Sequence, residues 1–146
     1  MANDLKDLYQ KTMIEHGNNP LNFGKPKEYK YSEEGFNALC GDKINIFINK
    51  TKSNEIKFSF VSIGCIICKA SASLMTNELN NKSLETTETC IDNVLVGITN
   101  GQLNEDLFSY ELMALNQINK FPSRLKCALL PWETTTKLLK KINKDD

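Results

Sequence analysis

The sequence predicts an α+β fold, a small antiparallel sheet packed against several helices, and three observations carry that reading. Two short runs alternate: Ile44, Ile46 and Ile48 with Lys43, Asn45 and Phe47, then Ile56, Phe58 and Phe60 with Lys57 and Ser59. That is the pattern of half-buried strands. Segments on both sides of these runs repeat apolar residues at helical spacing. The chain has 146 residues, of which 40% are hydrophobic, enough for a single domain that buries roughly two thirds of its unfolded surface without disulfides.

Taken in order, Leu5, Leu8, Tyr9, Thr12, Met13 and His16 mark an amphipathic helix ending at Gly17. The stretch from Asn18 to Pro26 is dense in turn formers and, with Leu21 and Phe23, reads as an ordered loop. Lys27 to Tyr31 is expected to supply a short edge strand, and Ser32 to Leu39 leads into Cys40-Gly41-Asp42. The two alternating runs form an antiparallel hairpin whose connecting loop, about Lys50 to Glu55, lies at one end. Cys40-Gly41-Asp42 and Gly64-Cys65 therefore meet at the other. A helix follows from about Ile66 to Leu79. Ser83 caps the next one, which carries Leu84, Thr87, Ile91, Val94 and Leu95 up to Gly97. Asn100-Gly101 is a turn, and Leu107 or Tyr110 through Ile118 makes a short helix. Phe121-Pro122-Ser123 starts another, which Pro131 should interrupt before a final helix from Trp132 to Ile142.

Eighteen basic and 18 acidic residues give zero formal net charge. That argues against broad electrostatic binding to nucleic acid or an anionic membrane. Met1-Ala2-Asn3-Asp4 leads directly into the first helix with no apolar signal core, and no run approaches the ~20 apolar residues of a membrane span, so a cytoplasmic location is expected. Asn49-Lys50-Thr51 and Asn81-Lys82-Ser83 then read as chance glycosylation patterns. Five cysteines in a reducing compartment point to metal or thiol chemistry rather than a disulfide framework.

Gly64-Cys65 joins the second strand to an Ala-, Leu- and Met-rich helix, with Gly64 as the natural turn. A thiol at that corner faces the positive end of the helix dipole, which favours the thiolate that ligates metals and attacks sulfur. Cys40, Asp42, Cys65 and Cys127 have the types and number of ligands a tetrahedral zinc accepts. Their wide spacing is equally that of buried structural cysteines. Cys65-Ile66-Ile67-Cys68 is spaced like a redox pair but lacks the βαβ surroundings of the thioredoxin fold.

Four blocks together resemble the U-type (NifU/IscU-like) iron–sulfur cluster assembly proteins: Asn19-Pro20-Leu21-Asn22-Phe23-Gly24, Cys40-Gly41-Asp42, Gly64-Cys65 with Ala70-Ser71-Ala72-Ser73, and Phe121 to Ala128. The resemblance spans nearly the whole chain, residues 1–146 as one domain. It is strongest to the SUF branch, commonly called SufU, because an extended segment of about Asn100 to Ile118 precedes the last cysteine and Lys126 stands where ISC-type scaffolds carry a histidine. It implies a three-stranded antiparallel sheet covered by helices, in line with the pattern, and a zinc site of Cys40, Asp42, Cys65 and Cys127. It also implies an activity: acceptance of persulfide sulfur from a pyridoxal-phosphate cysteine desulfurase of the SufS type, for passage to downstream cluster-assembly or sulfur-accepting proteins. If the protein is an enzyme, it is then a zinc-dependent sulfurtransferase. The alternative is a scaffold on which a transient iron–sulfur cluster is assembled and transferred.

Cys40 is the expected acceptor, since it adjoins Gly41 on a loop, and Cys127 is the second choice. Asp42 would be the hard ligand, the one most easily exchanged at a soft metal. Arg124, the only arginine, stands one helical turn before Cys127 and suits a forked bond to a carboxylate or a partner, or else is a solvated charge. Lys126 either stabilises thiolate or is solvated. His16 is expected to be packed and hydrogen-bonded rather than a ligand, and Cys90 to pack as a small hydrophobe. Cys68 departs from the family pattern, as an extra ligand, a resolving thiol or a buried substitution, the last being preferred. Leu21 departs as well, at a position where SUF-type proteins often carry arginine.

Overall fold

The computed structural model describes residues 2–145; Met1 and the side chain of Leu5 lie outside the described residues. The alternating runs become β2 (Asp42–Lys50) and β3 (Ile56–Ile63), with β1 (Tyr31–Asn37) on the other side of β2 in an antiparallel sheet of order β1-β2-β3. Ile46 stands opposite Phe60 and Ile48 opposite Phe58, so both predicted apolar sets turn to one face, where they are buried.

The edge strand lies later than the 27–31 expected. Ahead of Tyr31 the Asn49 side chain takes the backbone instead, donating to the Glu28 carbonyl at 2.8 Å and accepting from the Lys30 N–H at 3.0 Å. The true β1 lacks apolar alternation because its buried inward positions are Gly35 and Asn37. The last helix packs so close to it that a side chain on Gly35 would strike Thr134.

The helices are α1 (Ala2–Asn18), α2 (Ile66–Leu79), α3 (Leu84–Asn100), a 3-10 helix over Glu111–Lys120 and α4 (Pro122–Asp145). Helix α2 has the bounds expected of it. Ser83 caps α3 by accepting from the Thr86 N–H at 3.2 Å, and the helix passes Gly97 to end where Gly101 turns left-handed. The break expected at Pro131 does not occur, and α4 is continuous through it. The proline removes one N–H and costs about 3 kcal/mol in a helix interior. Trp132, Leu138 and Ile142 beyond it are all buried in the common core, and each such burial contributes about 1.5–3 kcal/mol. Packing therefore outweighs the lost bond.

Ser71 fixes α2 against α4. Its hydroxyl donates to the Ala128 carbonyl at 2.6 Å and accepts from the Trp132 indole N–H at 3.0 Å, all of it buried. The free edge of β3 is closed by loops: the N–H groups of Ile56, Phe58 and Phe60 go to the Lys82 carbonyl, the Asn80 side chain and the Asn22 carbonyl. Phe23 also meets Phe60 edge-on at 5.3 Å. Among the described residues no helix is long and apolar enough to cross a membrane.

Candidate metal and sulfur site

The four residues 38–41 join β1 to β2 in a tight turn, with Gly41 at φ 70°. That turn lifts Cys40 into solvent, while Asp42, the first residue of β2, is buried. Because Lys43 pairs with Ile63, the chain leaving β3 passes directly beside Asp42. Gly64 makes this approach possible. Its φ is 117°, and a β-carbon there would lie 2.6 Å from Asp42 Oδ1. That oxygen accepts the backbone N–H of Cys65 at 2.7 Å.

Helix α4, held by Ser71, delivers the buried Cys127 from the opposite side. One ligand atom each from Cys40, Asp42 and Cys127 then lies within 4.8 Å of the others. Cys65 stands at the same end of the sheet, tied to Asp42 through its backbone. Its sulfur caps α2, accepting from the Ile67 N–H at 3.3 Å, which places it at the positive end of that helix. Two soft thiols and one hard carboxylate form a donor set that suits zinc, while the Cys65 sulfur, a fourth ligand by type, lies outside that close group.

Burial pushes the Cys127 thiol well above the ordinary range; hydrogen bonding with Asp42 and Cys40 and the charges of Cys65 and Asp42 add to it. Such crowding of proton-holding donors is relieved by a dication, in whose field a thiol gives up its proton. Cys68 is different. It is 1% exposed within the hydrophobic core, and burial first, then the charges of Asp42 and Cys65, hold its proton firmly. The buried-substitution reading of Cys68 fits this environment.

His16 is packed and hydrogen-bonded as expected: Nδ1 meets the Ser73 hydroxyl at 2.7 Å and Nε2 pairs with Glu111, joining α1 to α2 and the 3-10 helix. Cys90 is half-buried against the core. Leu21 is exposed, and its backbone N–H donates to Ser73 Oγ at 2.7 Å. Among the described residues the partners of Arg124 are the Tyr9 hydroxyl at 3.3 Å and the Phe121 ring at 4.7 Å, rather than a carboxylate. Lys126 is exposed beside Cys127.

Two features escape a sequence reading. Asn37, paired with Asp42 across the β1–β2 turn, is buried and donates to Asp42 Oδ2 at 3.3 Å and to Cys127 Sγ at 3.5 Å. An asparagine closing a strand before Cys-Gly-Asp is the only signal the sequence offers of it. Phe36, Leu39 and Ile63, exposed at 66, 71 and 73%, together with Ile66 and Phe121, are exposed apolar residues within six positions of Cys40, Cys65 or Cys127 in the chain, termed the apolar collar. Apolar residues scattered singly need no explanation, but a cluster around a reactive group marks an interaction surface.

Residues 8–128 match the NifU-like N terminal domain, and the chain belongs to that family. It is 29% identical to the iron-sulfur cluster assembly scaffold protein IscU of Thermotoga maritima over 140 residues, covering 95% of this chain and 97% of that protein. It is 30% identical to the zinc-dependent sulfurtransferase SufU of Bacillus subtilis over 135 residues, covering 92% and 90%. The fold is shared with a SUF-system cluster-assembly scaffold candidate of Fervidobacterium islandicum AW-1, at a TM-score of 0.80 and 24% identity, covering 90% of this chain and 96% of that one. The resemblance read from the four sequence blocks is thus borne out, as is the three-stranded α+β architecture.

Proposed function

We propose that this chain, as a single U-type domain over residues 1–146, is a SUF-type sulfur acceptor in iron–sulfur cluster assembly. Its sulfur comes from a pyridoxal-phosphate cysteine desulfurase of the SufS type in the cytoplasm. The observation that carries this reading is the joining of an exposed thiol, Cys40, to a buried carboxylate and a buried thiol within 4.8 Å. An exposed thiol in the set is the one a donor outside the chain can reach. Cys40, Asp42, Cys65 and Cys127 are the proposed zinc ligands, in keeping with the zinc dependence named for the Bacillus relative. When bound, zinc keeps the thiols deprotonated at neutral pH.

The chemistry needs no outside oxidant. The Cys40 thiolate attacks the terminal sulfur of the desulfurase persulfide, a bond forms between the two sulfurs, and the donor's S–S bond breaks. The donor cysteine leaves as thiolate, and Cys40 carries the persulfide on to a downstream acceptor. Cys40 is suited to this by exposure and by the Gly41 turn, whereas Cys127 is locked in α4. The apolar collar gives the donor a surface to seat on, and Arg124 at its border, stacked on Phe121, keeps further N–H donors for a partner.

The second reading, a scaffold for a transient cluster, is favoured by the name of the Thermotoga relative. The same thiols could hold iron. Purified protein mixed with its cognate desulfurase and free cysteine separates the two. Acceleration of sulfide release, with a persulfide on Cys40 and stoichiometric zinc, supports the acceptor. Unchanged turnover, with visible absorption from a cluster built on the chain, refutes it in favour of the scaffold.

A further inference from the structure

The Asn37 side chain reaches both buried members of the site from behind the ligand set. It is only 9% exposed. Its Nδ2 donates to Asp42 Oδ2 on β2 and to Cys127 Sγ on α4, at 3.3 and 3.5 Å, while its Oδ1 accepts the Leu39 N–H at 3.3 Å. A single amide thus ties two ligands from different elements to each other, and by its oxygen pins the residue just before Cys40. Beyond that pin the chain faces open space. Cys40 is exposed, and the following Gly41 has nothing within 4 Å of where a β-carbon would stand.

We propose that Asn37 is a positioning residue that holds Asp42 and Cys127 as a fixed pair, and that this division leaves Cys40 as the thiol that moves. The inference rests on the sulfur-acceptor reading for its purpose, but its geometry stands without it. A donor behind each fixed ligand keeps that ligand aimed while another is exchanged, as partners beyond the ligand shell do at metal sites. Aspartate at this position would keep the acceptor for Leu39 but lose both N–H bonds and set a charge against Asp42. Alanine would lose all three bonds. The two substitutions therefore separate the pinning of the turn from the pairing of the ligands.

The test compares wild type with Asn37→Ala and Asn37→Asp, each checked for fold by circular dichroism and loaded with zinc. Affinity is read by chelator competition. Site mobility is read by alkylation with substoichiometric iodoacetamide, followed by peptide mass spectrometry. The proposal expects wild type to be alkylated at Cys40 in preference to Cys127. In both variants zinc affinity should fall about 10- to 100-fold, the usual effect of removing such a partner, and the preference for Cys40 should fall with it. Cobalt-loaded Asn37→Asp should also show a shifted thiolate-to-metal charge-transfer band. Folded variants with wild-type affinity and an unchanged Cys40 preference would overturn the proposal. Neither readout involves a desulfurase. A wild-type protein that accepts no persulfide would refute the proposed function, while the alkylation pattern still decides the role of Asn37.

Discussion

Gly64 sets how near α2 can come to the carboxylate of Asp42. Alanine there meets two obstacles at once, a φ of 117° and an oxygen 2.6 Å from the new β-carbon. Strain of this kind costs about 1–3 kcal/mol, and it falls on the hydrogen bond between Cys65 N–H and Asp42. Gly64→Ala should therefore lower the thermal midpoint and weaken zinc binding at least several-fold, as read by unfolding scans and chelator competition. Retained zinc affinity would show that the contact is not needed for the site. At this scale the sequence was legible where chemistry resides in residue type: Cys40, Asp42 and Cys127 stand out as thiols and a carboxylate and are brought within 4.8 Å of one another, while Cys65 stays outside that group. Asn37 was not legible, because its role arises only from the register that sets it opposite Asp42. Asparagine at a turn usually signals nothing more than the turn.

Helix α4 illustrates how tertiary packing overrides local propensity. Proline predicts a break by removing one N–H, yet the buried residues on both sides belong to the same core and hold the helix together. The hydroxyls of Thr134, Thr135 and Thr136 each donate to the carbonyl four residues back, at 2.7 to 3.1 Å. The carbonyl that Pro131 leaves without its helical donor is that of Cys127. Pro131→Ala should restore the bond, raise stability by up to about 3 kcal/mol and slow backbone exchange around Cys127. Differential scanning calorimetry and amide hydrogen exchange would check it, and a lower midpoint would mean that the proline ring's packing contributes more than the bond. The edge strand was expected too early in the chain, and β1 itself was missed for a related reason. Its inward residues are chosen for the closeness of α4 rather than for hydrophobicity, so the periodic signal is missing. β2, β3 and α2, whose faces meet the core in the ordinary way, were legible almost to the residue.

For the molecule as a whole, a metal bound only by the folded chain adds stability by mass action, about 4 kcal/mol at a thousandfold excess over Kd. In a domain of this size that is a midpoint change of roughly 10 °C. Chelation should lower the midpoint by that order, and the size of the drop should depend on pH. In the metal-free chain the raised Cys127 pKa favours the folded state below the ordinary thiol value of 9.0, and the contribution is lost as pH rises above it. Binding zinc must expel that proton, so the difference between loaded and metal-free protein should grow from pH 6 to pH 8. A difference independent of pH would exclude thiol ligation. The closed edge of β3 bears on how such a molecule is recognised. Its outward N–H groups at Ile56, Phe58 and Phe60 already have partners in the chain's own loops, so no visiting peptide or second copy can add a strand along that stretch. Along that stretch a partner has to read side chains and shape rather than main chain.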